Sequence, residues 1–335
     1  MSHCTANKKA ASAFVRRNSI PTTGAVAKAL FNSAIGIDVH HDILVCAYQY
    51  CNRESDEITT EVCSFGTTAS ELAKFTDWCR NHHPEQILME STGVLWFSPY
   101  EALESVGFTN RQLSLINARD FKAIVGRKSD KQDAERLALY ARIGNVRSSF
   151  VPAKCFREMR AVSRLLSKTT DEQSRARSRY LKTLNFIGCR ASSVFSDVRG
   201  KAATAILEVL AEGTREQLID AIKIHGRRLR KSAAEILDAL DFAVSPAMAM
   251  QLRIQKQHME ALSQTCEELY ALLKVMQANY QPWINRLMTV PGIKERAARV
   301  IFAEVTNDLS SFPDAAHLAS WVGVCPGTME SAGKR

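Results

Sequence analysis

The spacing of apolar and polar residues in the first half of the chain predicts an α/β domain. Apolar runs predict strands at about 34–39, 42–48, 58–65, 87–89 and 113–116. The first two strands are joined by a tight turn at His40-His41. Helical spacing predicts helices that begin after Thr68 and after Gly93 and that cover about 118–125 and 131–143. The order βββαβαβα is that of an α/β ribonuclease H-like fold.

The second half of the chain reads as mainly α-helical, and Val151-Pro152 marks the boundary. Residues 156–187 predict one long helix or a helical pair. Residues 248–276 carry a heptad pattern, which predicts a coiled coil, within the chain or between subunits, or else a core helix. Residues 287–301 contain a Pro-Gly turn followed by a helix. This pattern is typical of a helix-hairpin-helix that meets a phosphate, or of a hairpin that serves packing alone.

These patterns divide the chain into five segments. They are a disordered basic extension (1–33), a catalytic α/β domain (34–150), a basic helical nucleic-acid-binding region (151–244), a coiled-coil helix (245–281) and a C-terminal domain (282–335). The chain shows no secretory signal and no long apolar stretch, so we expect a cytoplasmic protein without a membrane partner.

The positive charge of the chain favours a nucleic-acid partner. The alternative explanation is that the charge serves solubility alone. The net charge is +9 and the sequence pI is about 9.1. Residues 151–235 hold 18 Lys and Arg against 9 Asp and Glu, a surplus as large as that of the whole chain. Helical spacing places a row of basic residues on one face, either solvated or following a phosphate backbone. This row is Arg157, Arg160, Arg164, Lys168, Arg175, Arg179 and Lys182.

Four acidic residues form the candidate catalytic site. Asp38 lies inside one apolar run, Glu90 ends another, and Asp130 and Asp133 stand three residues apart at the start of a predicted helix. A carboxylate in a buried strand is costly unless it is paired or binds a metal. Two strands with carboxylates and an acidic pair suit two Mg²⁺ ions, which point to phosphodiester chemistry. Alternatively, Asp130 and Asp133 only cap and solvate their helix.

Several short motifs in the same order resemble one family. They are Gly36-Ile-Asp38, Met89-Glu-Ser-Thr-Gly93, Arg127-Lys-Ser-Asp-Lys-Gln-Asp133, Val290-Pro-Gly-Ile293, Ala319-Ser-Trp-Val-Gly-Val-Cys-Pro-Gly327 and Glu330-Ser-Ala-Gly-Lys-Arg335. From about Ile35 to the last residue, the chain resembles the DEDD transposases of insertion sequences, relatives of the Piv-type DNA invertases.

The resemblance implies a RuvC-like N-terminal domain whose acidic tetrad falls on Asp38, Glu90, Asp130 and Asp133, with two Mg²⁺ ions. It also implies a C-terminal transposase domain with a serine nucleophile at Ser331, DNA ends and target as substrates, and, as in some members, a guide RNA. Because relatives continue past the serine motif, we expect the segment 282–335 to be truncated. The active form is expected to be a dimer or tetramer associated with the bacterial nucleoid.

Three basic residues flank the acids: Arg127, Lys128 and Lys131. They are candidates for holding the DNA strand, or they are ordinary surface charge. Two other functions remain open at the sequence level. A RuvC-like structure-selective endonuclease would use the same acids with water as nucleophile, and an inactive truncated remnant would only bind nucleic acid.

Overall fold

The structure, a computed structural model, divides the chain into two compact units, Met1–Lys154 and Cys155–Arg335. The three segments that the sequence separates after residue 150 thus fall almost wholly in the second unit. The residues described are 14–17, 29–52, 54–55, 57–91, 93–117, 129–144, 148–195, 200–226, 229, 231–240, 244–309 and 312–324.

The first unit is built on a mixed sheet. Its strands are β1 (Phe14–Arg17), β2 (Ser33–Val39), β3 (Ile43–Cys51), β4 (Ile58–Gly66), β5 (Gln86–Glu90) and β6 (Leu113–Ile116). Its helices are α1 (Ala69–His82), α2 (Phe97–Ser105) and α3 (Asp130–Ile143). The sheet order is β1-β4-β3-β2-β5-β6. Strands β1 to β4 pair antiparallel, whereas β5 pairs in parallel with β2 and with β6. This arrangement confirms the predicted α/β ribonuclease H-like class.

Alternation along β2 sends its side chains to the two faces of the sheet. Ile35 and Ile37 enter a core with residues of α1 and α2. Ala34 packs on the opposite face against Leu137 of α3. On that second face, Gly36 allows the backbone of α3 to approach, since an added Cβ would lie 2.2 Å from the carbonyl oxygen of Ala134. The absence of a Cβ at Gly36 thus lets α3 pack directly against β2.

The N-terminal extension departs from the expected disorder at one point. Residues 14–17 form β1, which pairs antiparallel with β4, with Phe14 opposite Val62 and Arg17 opposite Thr59. The physical reason is that β4 would otherwise expose unpaired backbone N–H and C=O groups, which an extended segment satisfies. Residues 1–13 and 18–28 and the helix predicted at 118–125 lie outside the described residues.

The second unit is helical. Its helices are α4 (Lys154–Phe186), α5 (Ala191–Val194), α6 (Lys201–Glu212), α7 (Arg215–His225), α8 (Ala233–Leu240), α9 (Pro246–Met276), α10 (Gln281–Met288), α11 (Glu295–Val305) and α12 (Ala315–Val322), with a short 3₁₀ turn at Ala278–Tyr280. Within the parts of the chain that are described, no helix has the length and apolar content that crossing a membrane requires.

Helices α4 and α9 run antiparallel and meet through their side chains. The Gln255 side-chain amide donates to Thr183 Oγ1 (3.1 Å), and farther along α9 the Cys266 Sγ lies 3.8 Å from Thr170 Oγ1. The heptad positions Leu252, Cys266 and Leu273 of α9 are buried. These heptad positions therefore pack against a helix of the same chain.

Two apolar clusters lie along the pair α4 and α9. One includes Tyr180, Leu184 and Leu252 together with residues of α6, α7 and α8. The other includes Phe156, Leu166 and Leu273 together with residues of α10 and α11. The two long helices thus connect two separate bundles within the second unit.

Helices α10 and α11 form the hairpin at the predicted Pro-Gly turn, where Gly292 adopts a φ of 88°. The hairpin is anchored to its own unit, since Ile284 and Phe302 enter the cluster that contains Phe156. The buried Arg299 donates to Glu295, Gln277 and Gln281. Packing within the second unit accounts for the apolar face of the hairpin and for the burial of Arg299. The phosphate-binding role of the turn stays a prediction.

Truncating Leu273 is expected to destabilise the second unit by about 2–5 kcal/mol, since the residue is fully buried and its removal leaves a cavity. The adjacent Leu272 is 47% exposed, so Leu272→Ala is the matched control and should cost well under half as much. Urea unfolding monitored by circular dichroism measures both changes. Equal losses would contradict the packing of α9 described here.

Candidate active site

Two of the four predicted acids meet on the sheet face that α3 covers. Strands β2 and β5 run parallel with Ile37 opposite Met89, so Asp38 and Glu90 follow at equivalent positions of neighbouring strands. Both are buried, at 8% and 9% exposure. Because they lie one residue beyond the same pair, their carboxylates emerge on one face.

The other two acids begin α3. Ser129 caps the helix by accepting a hydrogen bond from the backbone N–H of Gln132 (3.4 Å), which leaves Asp130 and Asp133 in the first turn. The exposed backbone N–H groups and helix dipole favour acidic side chains there. The Asp133 side chain is 18% exposed and lies 3.5 Å from Arg136, whereas that of Asp130 is 66% exposed.

The electrostatics of Asp38 show that the acids act on one another. Burial raises the pKa of Asp38, and the nearby carboxylates of Glu90 and Asp133 raise it further, while His40 opposes them. A buried carboxylate with a raised pKa beside other carboxylates is a donor set that a divalent cation would stabilise. The residues present therefore fit the binding of a metal ion such as Mg²⁺.

His40 belongs to this site, although the sequence analysis placed it only in a turn. Its Nε2 lies 3.0 Å from Asp38 Oδ2 and 3.8 Å from Asp130 Oδ1. It thus bridges a carboxylate of β2 and one of α3. The signal in the sequence is its position two residues after Asp38 in an extended segment, which directs both side chains to the same side.

Of the residues predicted to act beside the acids, Lys131 is exposed in the first turn of α3. Arg127, Lys128 and Ser331 lie outside the described residues.

The basic row on α4 divides into two parts. Arg157 is 5% exposed, Arg160 donates to the backbone oxygens of Ala303 and Glu304, and Arg164 makes two hydrogen bonds of 2.8 Å to the Glu304 carboxylate. Arg157 and Arg160 therefore have internal roles in the second unit, which corrects their expected place on a phosphate-binding face. Arg164 is 62% exposed, and its guanidinium is held by the Glu304 carboxylate in a surface ion pair. The remaining members of the row, Lys168, Arg175, Arg179 and Lys182, are all exposed.

Two family models match the chain. Residues 35–188 match the DEDD_Tnp_IS110 model, described as Transposase, and residues 284–335 match the model described as Transposase IS116/IS110/IS902 family. No curated protein matches the chain. Among solved structures, the chain is similar to the RuvC structure of Thermus thermophilus, with 16% sequence identity over 35% of this chain and 99% of that chain and a TM-score of 0.24.

The two matched segments contain the N-terminal and the C-terminal motifs on which the resemblance found in the sequence rests. The first contains the four acids, and the second contains the position of the expected serine. Together they cover more than half of the chain, in the order that the motifs predict. The chain belongs to the IS110 family of DEDD transposases.

Proposed function

We propose that this transposase cuts and rejoins DNA at a Mg²⁺-dependent site formed by Asp38, Glu90, Asp130 and Asp133. The observation that carries the proposal is the convergence of two buried strand carboxylates with the acidic first turn of α3. Burying two carboxylates side by side costs desolvation free energy. A bound cation or a proton is needed to offset that cost. The raised pKa of Asp38, due first to burial, supports this reading.

The four carboxylates would hold two Mg²⁺ ions. Such ions polarise a phosphate and stabilise the attacking and leaving oxygens of a displacement. The chain's own contribution is to fix the carboxylates on rigid elements: Asp38 and Glu90 on neighbouring strands, and Asp133 on a capped helix. Arg127, Lys128 and Lys131 flank the site in the sequence and would hold the DNA strand by their charge.

Ser331 is the proposed nucleophile of strand transfer. Its oxygen forms a bond to phosphorus while the bond between phosphorus and the departing deoxyribose oxygen breaks, and that oxygen takes up a proton. The resulting protein–DNA phosphodiester keeps the bond energy needed for rejoining. This role rests on the family match to residues 284–335, in which Ser331 lies.

Covalent capture tests the proposal. The purified chain is incubated with end-labelled DNA of the element's terminus, co-purifying RNA and Mg²⁺, and then denatured. We expect a labelled protein band that both Ser331→Ala and Asp38→Ala abolish. Nicked DNA without a band, dependent on Asp38 alone, would instead establish a RuvC-like endonuclease with water as nucleophile. Binding without any cleavage would identify an inactive nucleic-acid-binding protein.

The four residues of the basic row that follow Arg164 are proposed to contact the phosphates of DNA or of a guide RNA. Lys168, Arg175, Arg179 and Lys182 are exposed on α4. Each phosphate contact contributes about one unit to the slope of log affinity against log salt concentration. Replacing all four by alanine is expected to lower that slope by about 3–4.

Fluorescence anisotropy at several salt concentrations measures the slope, with double-stranded DNA and with the co-purifying RNA as separate ligands. Lys223→Ala is the control, because Lys223 is an exposed lysine of α7 that pairs with Asp220 at 3.1 Å. An unchanged slope in the fourfold variant would assign the row to ordinary surface charge.

We further propose that the chain acts as a homo-oligomer, a dimer or a tetramer. The outward side of α9 exposes large apolar residues, among them Ile254 at 58% and Val275 at 73%. Contiguous exposed apolar surface favours association with another chain, and Met250 adjoins Ile254 on this helix as Leu272 adjoins Val275. Sedimentation velocity of the purified chain, with and without DNA, measures the state directly, and a monomer under both conditions would contradict the proposal.

A further inference from the structure

We propose that His40 is a nitrogen ligand of one of the metal ions, held together with Asp38 and Asp130, so that this position is a mixed nitrogen–oxygen site. The inference rests on the proposed function, because it names a further ligand in the same site. It adds a residue that lies outside the acidic tetrad.

The distances fit a shared ion. Nε2 of His40 lies 3.0 Å from Asp38 Oδ2 and 3.8 Å from Asp130 Oδ1, and the three ligand atoms all lie within 4.8 Å of one another. Two ligands bound at about 2.1 Å to one octahedral ion are roughly 3.0 Å apart when adjacent and about 4.2 Å apart when opposite. The 3.0 Å pair matches adjacent ligands and the 3.8 Å pair lies between the two values. Small side-chain adjustments would therefore bring the three atoms around one ion.

The same nitrogen faces both carboxylates, which identifies Nε2 as the coordinating atom. The backbone supports this orientation, because the His40 N–H donates to the Ile43 carbonyl (3.0 Å) and fixes the turn between β2 and β3. The His40 side chain is 40% exposed. That openness leaves one side of the site accessible to water or to a DNA phosphate, as a catalytic metal requires.

A nitrogen ligand changes the metal preference of the site. Carboxylate and water oxygens suit Mg²⁺, whereas imidazole favours the first-row transition ions, among which Mn²⁺ has the lowest affinity. The structure therefore leads us to expect that this position binds Mn²⁺ more tightly than Mg²⁺, and that His40 accounts for most of the difference.

Electron spin-echo spectroscopy of Mn²⁺ bound to the full chain provides the test. A directly bound imidazole gives modulation from its ¹⁴N nucleus, which a nearby but unbound histidine does not. We expect modulation in the unmodified chain and in His41→Ala and none in His40→Ala. His41 is the matched control, since its side chain is 84% exposed and contacts Asp42. We also expect His40→Ala to weaken Mn²⁺ binding by about tenfold and Mg²⁺ binding by less.

The outcomes distinguish a failure of the His40 inference from a failure of the proposed function on which it rests. Mn²⁺ bound without ¹⁴N modulation in the unmodified chain would overturn the role of His40 and leave the acidic metal site standing. Modulation that survives in His40→Ala would overturn it as well. No Mn²⁺ or Mg²⁺ binding at all would remove both proposals. Because the decisive spectrum is that of the unmodified chain, the test does not depend on how well a variant folds.

Discussion

Asp38→Asn is expected to lower the rate of metal-dependent DNA cleavage at least about 10³-fold, the equivalent of roughly 4 kcal/mol of lost metal assistance. The fold should be no less stable than that of the unmodified chain without metal. Burial raises the pKa of Asp38, His40 partly offsets this rise, and the charges of Glu90 and Asp133 add to it, so the charged form is less favourable in the empty site than in water. Asparagine keeps the shape and removes that charge.

Nicking of labelled DNA and thermal unfolding in a chelating buffer measure the two effects. Asp42→Asn is the matched control, because Asp42 lies four residues away in the following turn and its side chain is 88% exposed. It should change neither quantity appreciably. Cleavage that persists in Asp38→Asn would remove Asp38 from the proposed metal site, whatever happens to stability.

Gly36→Ala should disrupt both fold and activity. The added Cβ would lie 2.2 Å from the Ala134 oxygen and 2.2 Å from the Ala138 nitrogen, which are backbone atoms of α3 that no rotamer change can move. Either β2 or α3 must shift, at a cost of about 3 kcal/mol. The shift would also separate Asp130 and Asp133 from Asp38, so we expect metal binding to fall together with stability.

Denaturant unfolding and Mn²⁺ titration of the same sample check this result. Gly66→Ala is the control in the same sheet, since its nearest contact would be the flexible Glu71 side chain, 3.0 Å away. We expect a small effect there. A Gly36→Ala protein with unchanged stability would mean that α3 does not rest directly on β2.

The α/β fold and the meeting of Asp38 with Glu90 were largely predictable from the sequence. Asp38 lies inside one short apolar run and Glu90 ends another, and a strand pattern fixes which face a side chain occupies. The close approach of α3 to β2 was harder to predict from the sequence. It depends on Gly36 and on the small residues Ala134 and Ala138, whose effect appears only when the helix is placed against the strand.

His40 was missed for a different reason. A histidine beside a turn has many possible roles, and its contact with Asp130 joins positions far apart in the chain. Sequence spacing gives the direction of a side chain within one element and does not identify its partner from another. The link between His40 and the acids therefore became visible only in three dimensions.

The basic row on α4 shows the same limit. The spacing correctly indicates that Arg160 and Arg164 share a helix face, but it does not reveal that Glu304 of α11 packs on this face from 140 residues away. A carboxylate from a distant part of the sequence thus pairs with arginines that the spacing assigns to a phosphate-binding face. Local charge balance thus overestimated the length of the exposed basic row.

The long helix α4 has a consequence for how the second unit opens. At about 1.5 Å per residue its 33 residues extend roughly 50 Å, with Leu184 in one apolar cluster and Leu166 in the other. Each cluster protects the backbone amides around it. We therefore expect one end of α4 to exchange its amide hydrogens while the other stays closed, as if the single helix belonged to two cooperative folding units.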